Sequence, residues 1–191
     1  MINLRRRLTQ AMVATAGAVT LLGGGVVTAP AHAAPNDLGR VCMFNAPAEV
    51  PKAGHVAWAF RVRGEKDHWI WGSFNRDEAW TRGGTWKDVR ASFKPVWDKK
   101  DKRWEGYTRY RCTNTKDGNA RNAQSAFKAV RDKGYSITRN NCLHMSMAVF
   151  KGYSGVLRRD ARLPSATAVR PNDYFSRTLS NAKWERIHRM P

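Results

Sequence analysis

Between Gly54 and Phe74 the chain leaves little choice of local structure. Val56, Trp58, Phe60 and Val62 alternate with His55, Ala57, Ala59 and Arg61; a polar stretch from Arg63 to Asp67 interrupts, and HWIWGSF (68–74) runs back. Period-two alternation on either side of a short glycine-containing break predicts a β-hairpin. One face of its first strand is bulky. The other carries His55 and two alanines, and this shallow face is expected to take a helix at close range. A turn symmetric about Glu65 sets Asn75 opposite His55, whereas a one-residue shift substitutes Phe74 or Arg76.

A second constraint lies at Asn140-Asn141-Cys142. Asn141 is a good N-cap, and Leu143, Met147 and Phe150 recur at helical spacing until Lys151-Gly152 closes the run. Cys142 then occupies the first turn, where unpaired backbone N–H groups and the helix dipole favour a thiolate and lower the thiol pKa. That chemistry suits a nucleophile. The competing readings are a packed core cysteine or half of a disulfide. There are three cysteines in all. Cys42 and Cys112 sit in segments that read as strands, and a bridge between them closes a loop of about 70 residues, worth roughly 4 kcal/mol on the chain-entropy model. Cys142 is then the odd thiol; a Cys112–Cys142 bridge would remove the nucleophile.

The first residues carry Arg5, Arg6 and Arg7, then an apolar run from Ala11 to Val27, then Ala31-His32-Ala33. This reads as a secretory signal peptide over residues 1–33, cut after Ala33, with a single exported domain over 34–191. Export makes a structural disulfide reasonable. The formal charge is +19; three of the 34 Lys and Arg and none of the 15 Asp and Glu lie in the leader, leaving 31 against 15, or +16. Such a surplus predicts attraction to an anionic polymer such as a cell-wall glycopolymer, nucleic acid or an anionic membrane surface, and equally suits a solvated surface. No stable protein partner is expected.

Elsewhere the pattern predicts a short strand over 40–44, a helix over 85–93 in a Trp-rich mixed region, a strand over 103–113, and an amphipathic helix over 117–133 stopped by Gly134. A short helix starts at Pro171, and residues 184–188 read as a closing strand. The fold class expected is α+β, an antiparallel sheet with the Cys-bearing helix packed on it. Neither a metal nor a cofactor is expected, because the His and Cys residues lack ligand spacing and no acidic loop of calcium-binding type is present.

Hydrolysis by a thiol needs a base, a group that orients the base, and oxyanion donors. Beyond the leader the histidines are His55, His68, His144 and His188. His144 points from a different face of the Cys142 helix, and His188 lies in the tail. His55, heading a strand, is favoured as base over His68 beside the turn. Asn75 is the candidate orienter, with His68 or no third residue as alternatives. The backbone N–H of Cys142 is the candidate oxyanion donor.

The ordered set Gly54-His55-Val-Ala-Trp-Ala-Phe60, Trp69-Ile-Trp-Gly72-Ser-Phe, a helix, Tyr135 and Asn141-Cys142 heading another helix resembles the circularly permuted NlpC-type branch of the papain-like superfamily, which includes the lecithin retinol acyltransferase relatives and the PPPDE peptidases. The likeness covers roughly residues 54–150. It implies a thiol nucleophile at Cys142 and a base at His55 acting on an amide or ester. With export, cell-wall peptide becomes a reasonable substrate. The alternative from a different class is a non-enzymatic basic module that holds an anionic polymer.

Overall fold

The structure, a computed structural model, describes residues 38–191. The expected leader over 1–33 and its expected cut after Ala33 lie outside the described residues. The chain forms a mixed α and β fold. Its elements are β1 (Gly39–Ala46), β2 (His55–Arg61), β3 (Trp69–Phe74), β4 (Ala79–Gly84), α1 (Trp86–Ser92), β5 (Val96–Asp98), β6 (Arg103–Glu105), β7 (Arg109–Thr115), α2 (Ala120–Arg131), α3 (Cys142–Tyr153), α4 (Gly155–Arg159), α5 (Pro171–Asp173) and β8 (His188–Arg189). A π turn (Tyr174–Thr178) and a 3₁₀ turn (Leu179–Asn181) continue α5. Six strands form an antiparallel sheet in the order β4-β3-β2-β1-β7-β8, and β5 and β6 pair separately.

The β2–β3 hairpin takes the symmetric register, with Ala57 opposite Ser73, Trp58 opposite Gly72 and Phe60 opposite Ile70. Continuing it sets Asn75 across from His55. The strand expected over 103–113 is broken in two by Gly106 at φ +77°, a left-handed conformation that glycine adopts without steric cost. The edge strand β4 had no apolar alternation to announce it. Its side chains are half-buried or exposed and its place in the sheet rests on backbone pairing to β3. The closing strand shrinks to two residues, His188 and Arg189.

Two apolar layers sandwich the sheet. On one face Val41, Met43, Val56, Trp58, Phe60, Ile70 and Phe74 pack against α2, α3 and the helical tail. On the other, Cys42, Phe44, Ala57, Ala59, Trp69, Trp71 and Cys112 pack against Val89 and Phe93 of the α1 segment. The helix bearing Cys142 thus lies on the bulky face, not on the alanine face as expected. The alanines serve their own layer: Ala59 stands directly opposite Trp71, so small residues make room for indoles across the ladder.

Helix boundaries follow capping chemistry. Thr85 accepts from Asp88 N while the Asp88 carboxylate accepts from Thr85 N, a capping box that starts α1. Asn119 caps α2, and Asn141 caps α3 by accepting from the N–H groups of Leu143 (3.0 Å) and His144 (3.3 Å). Gly152 does not end α3, which continues to Tyr153. Its missing side chain is used for packing, since a Cβ there would sit 2.8 Å from Ala126 Cβ and from Asn122 O of α2. Cys42 and Cys112, register partners of β1 and β7, form the disulfide, and Cys142 is unpaired. The bond is consistent with an extracellular location. Among the described residues no helix is long and apolar enough to cross a membrane.

Candidate functional site

Cys142 is 3 % exposed and belongs to the apolar layer under α3. The backbone N–H groups of Val56, Leu143 and Cys142 itself all favour its thiolate, which places the sulfur beside the peptide unit joining His55 to Val56. Burial outweighs these amides and, with a smaller push from Glu49, raises the thiol to about 11. The thiol pKa is therefore raised, not lowered as the helix start alone would predict. The first turn supplies the expected N–H groups, but desolvation is the larger effect.

His55 is likewise 3 % exposed. Its Nε2 lies 2.9 Å from Ser73 Oγ, and Ser73 Oγ also meets Tyr107 OH at 2.9 Å and donates to Asn75 Oδ1 at 3.1 Å. The proton inventory of that hydroxyl assigns the tautomer. Ser73 has one proton, and it goes to the Asn75 carbonyl oxygen, so Nε2–H of His55 donates to Ser73 Oγ and Nδ1 keeps the lone pair. Burial pushes the imidazole down to about 4, opposed by its hydrogen bond with Asn75. Both the thiol and the imidazole are therefore neutral at pH 7.

Gly54 lets the chain enter β2 under a crowded roof. Its φ is +69°, and a Cβ would fall 1.9 Å from Asn172 Oδ1, which in turn accepts from Asn45 Nδ2 at 2.8 Å. Asn45 Nδ2 also donates to His55 O at 3.2 Å, fixing the peptide on the near side of the histidine. Tyr107 packs 5.8 Å from the His55 ring, and Tyr135 sits edge-on to Phe74 at 5.2 Å. Burial raises both phenols, and the sulfur's charge raises them further, so they share its neighbourhood.

The structure thus brings Asn75 to the His55 ring, both directly and through Ser73, on the alanine face at the start of β2, whereas the Cys142 sulfur meets the His55–Val56 peptide from the bulky face and has no contact with the ring among the described residues. His68 is not part of this group. It pairs with Glu65 at 2.7 Å in the hairpin turn. His144 turns back to Asn141 Oδ1 at 2.9 Å, and His188 stacks on Tyr110. Ser73 and Tyr107 went unnoticed in the sequence. Ser73 had a signal, being two residues before Asn75 on one strand face; Tyr107 had none, because only the fold brings the segment after Gly106 to the hairpin. Asp98, Asp101 and Glu105 converge within 4.8 Å by the β5–β6 turn, an acidic group that the sequence reading did not foresee. Arg103 pairs with both Asp101 and Glu105, which accounts for the convergence.

The buried imidazole carries a pH consequence. In the unfolded chain it takes a proton near 6.5; in the folded chain it resists until about 4. Unfolded chains bind the extra proton in that window, so stability is intact above 6.5 and falls as pH drops toward 4, by about 3 kcal/mol at most from this group. His55→Gln is expected to flatten that part of the profile. Urea unfolding of both proteins at several pH values between 7 and 4 measures it, and parallel profiles would contradict the assignment.

No family model, curated protein or solved structure matches the chain.

Proposed function

We propose that the chain is an exported thiol hydrolase of the permuted papain-like kind, acting on an amide or ester bond, with cell-wall peptide as a candidate substrate. The observation that supports this reading is an unpaired sulfur against the His55–Val56 peptide, next to a residue whose imidazole Nε2 is held by Ser73; the reading requires the ring to turn toward the sulfur in the substrate complex. Nδ1 is then the base. It takes the thiol proton as sulfur attacks the substrate carbonyl, the carbonyl electrons move to oxygen, and N–H groups at the start of α3 receive that oxyanion. Collapse expels the amine or alcohol, which leaves with the proton from Nδ1, and water then hydrolyses the acyl-thioester by the reverse sequence of transfers.

Because both groups rest neutral, proton transfer accompanies attack instead of preceding it. The test is turnover of peptide and ester substrates by the wild type, by Cys142→Ser and by protein alkylated with iodoacetamide. Loss of turnover in both altered forms is the expected result. Turnover that survives both ends the proposal.

The second reading, a module that holds an anionic polymer, is favoured by one feature. On the sheet face opposite α3, rings of Trp69, Trp86, Tyr110 and His188 follow one another at centroid distances of 4.6, 5.5 and 5.1 Å along a cleft of about 570 Å³ that Arg40, Arg61 and Lys66 also line together with Asp67 and Glu185, the latter paired to Arg40 at 2.8 Å. Aromatic faces with neighbouring cations suit a polymer of charged, ring-bearing units. Such a cleft is compatible with catalysis elsewhere and can recruit the enzyme to its substrate.

A further inference from the structure

At the far edge of the sheet, β7 and β8 set two arginines directly opposite each other, Arg109 and Arg189. Partners in an antiparallel ladder point to the same face, so both arginines project from the same side of the sheet edge, where like charges destabilise the pair. Among the described residues neither has a carboxylate partner. Arg109 donates to Asn45 Oδ1 at 2.8 Å and lies 5.7 Å over the Phe175 ring, but its Nε is buried with no hydrogen-bond partner.

Both arginines line a cleft of about 600 Å³ whose other walls include Pro47, Pro95, Trp104 and Met190. Trp104 is 54 % exposed and meets Trp97 edge-on at 5.3 Å. The space therefore joins a doubly cationic end to flat apolar walls. We propose that this cleft is a binding site for an oxyanion, a carboxylate or phosphate group carried on a flat apolar body, held by Arg109 and Arg189 with the body against Trp104. The site uses none of the groups assigned to the thiol chemistry and stands or falls without it.

The experiment titrates the full chain with inorganic phosphate, phenyl phosphate and hippurate at ionic strength matched by chloride, reading tryptophan fluorescence and the thermal midpoint. Saturable binding is expected for phenyl phosphate or hippurate, and whichever binds tighter identifies the anion as phosphate or carboxylate. Arg189→Gln, at an exposed position, is expected to weaken it at least about tenfold. Trp104→Ala is expected to weaken the two ring-bearing ligands while leaving inorganic phosphate unchanged. Equal affinity in wild type and Arg189→Gln, or no saturable response in the wild type up to about 10 mM ligand, overturns the proposal.

Discussion

Replacing His55 by glutamine is expected to lower kcat/KM by about a thousandfold, within the range that a positioned general base supplies, while the folded protein persists at pH 7. Glutamine is the informative choice because its amide N–H can still donate to Ser73 Oγ, so the hydrogen-bonded cluster of Ser73, Asn75 and Tyr107 keeps its geometry. Only the lone pair of Nδ1 is lost. Asn75→Ala should cost less, about tenfold, since Ser73 continues to hold Nε2 and Tyr107 continues to hold Ser73. The ordering of these two effects is the discriminating measurement. Equal losses would mean that Asn75 does more than orient the ring, and an undiminished His55→Gln enzyme would remove His55 from the reaction.

The second large effect concerns the fold. Cys42 and Cys112 are 70 residues apart in sequence and face each other across the β1–β7 ladder at the heart of the sheet. Opening that loop in the unfolded chain restores conformational freedom worth about 4 kcal/mol. The Cys42→Ala, Cys112→Ala double variant should lose that amount in denaturant unfolding, with a steeper slope because the unfolded chain is no longer held compact by the bridge. Alanine is preferred to serine because both positions are buried, 0 % and 1 % exposed, among Phe44, Ala57, Trp71 and Phe93, where a hydroxyl would need a partner. The variant also leaves Cys142 as the sole thiol, which keeps disulfide exchange out of the measurement. A loss under about 1 kcal/mol would place the bridge's contribution below the entropic estimate.

These expectations show where sequence reasoning had purchase. The hairpin was readable because both strands alternate on either side of a polar break, but its register was not: a seven-residue connection leaves Phe74, Asn75 or Arg76 opposite His55, and only the pairing in the structure selects the symmetric one. The cap of α3 was readable because Asn141 stands immediately before an apolar run. The layer on which α3 settles was not readable. β2 is buried on both faces along most of its length, and alternation between large and small residues says that the faces differ without saying which element covers which. The ionisation of Cys142 was misjudged for a related reason. A helix start announces its amides in the sequence, whereas the desolvation that opposes them depends on what three-dimensional packing brings against the sulfur. Edge strand β4 escaped because its pairing is made by backbone groups, which carry no residue-type signature.

The covered sulfur has a consequence for the protein's lifetime. With a pKa of about 11, roughly one molecule in ten thousand carries a thiolate at pH 7, and the thiolate is the form that peroxides and stray disulfides attack. A sulfur so rarely ionised, and 3 % exposed, is shielded twice over, so the unpaired cysteine can survive in an oxidising medium that would exhaust an open thiol.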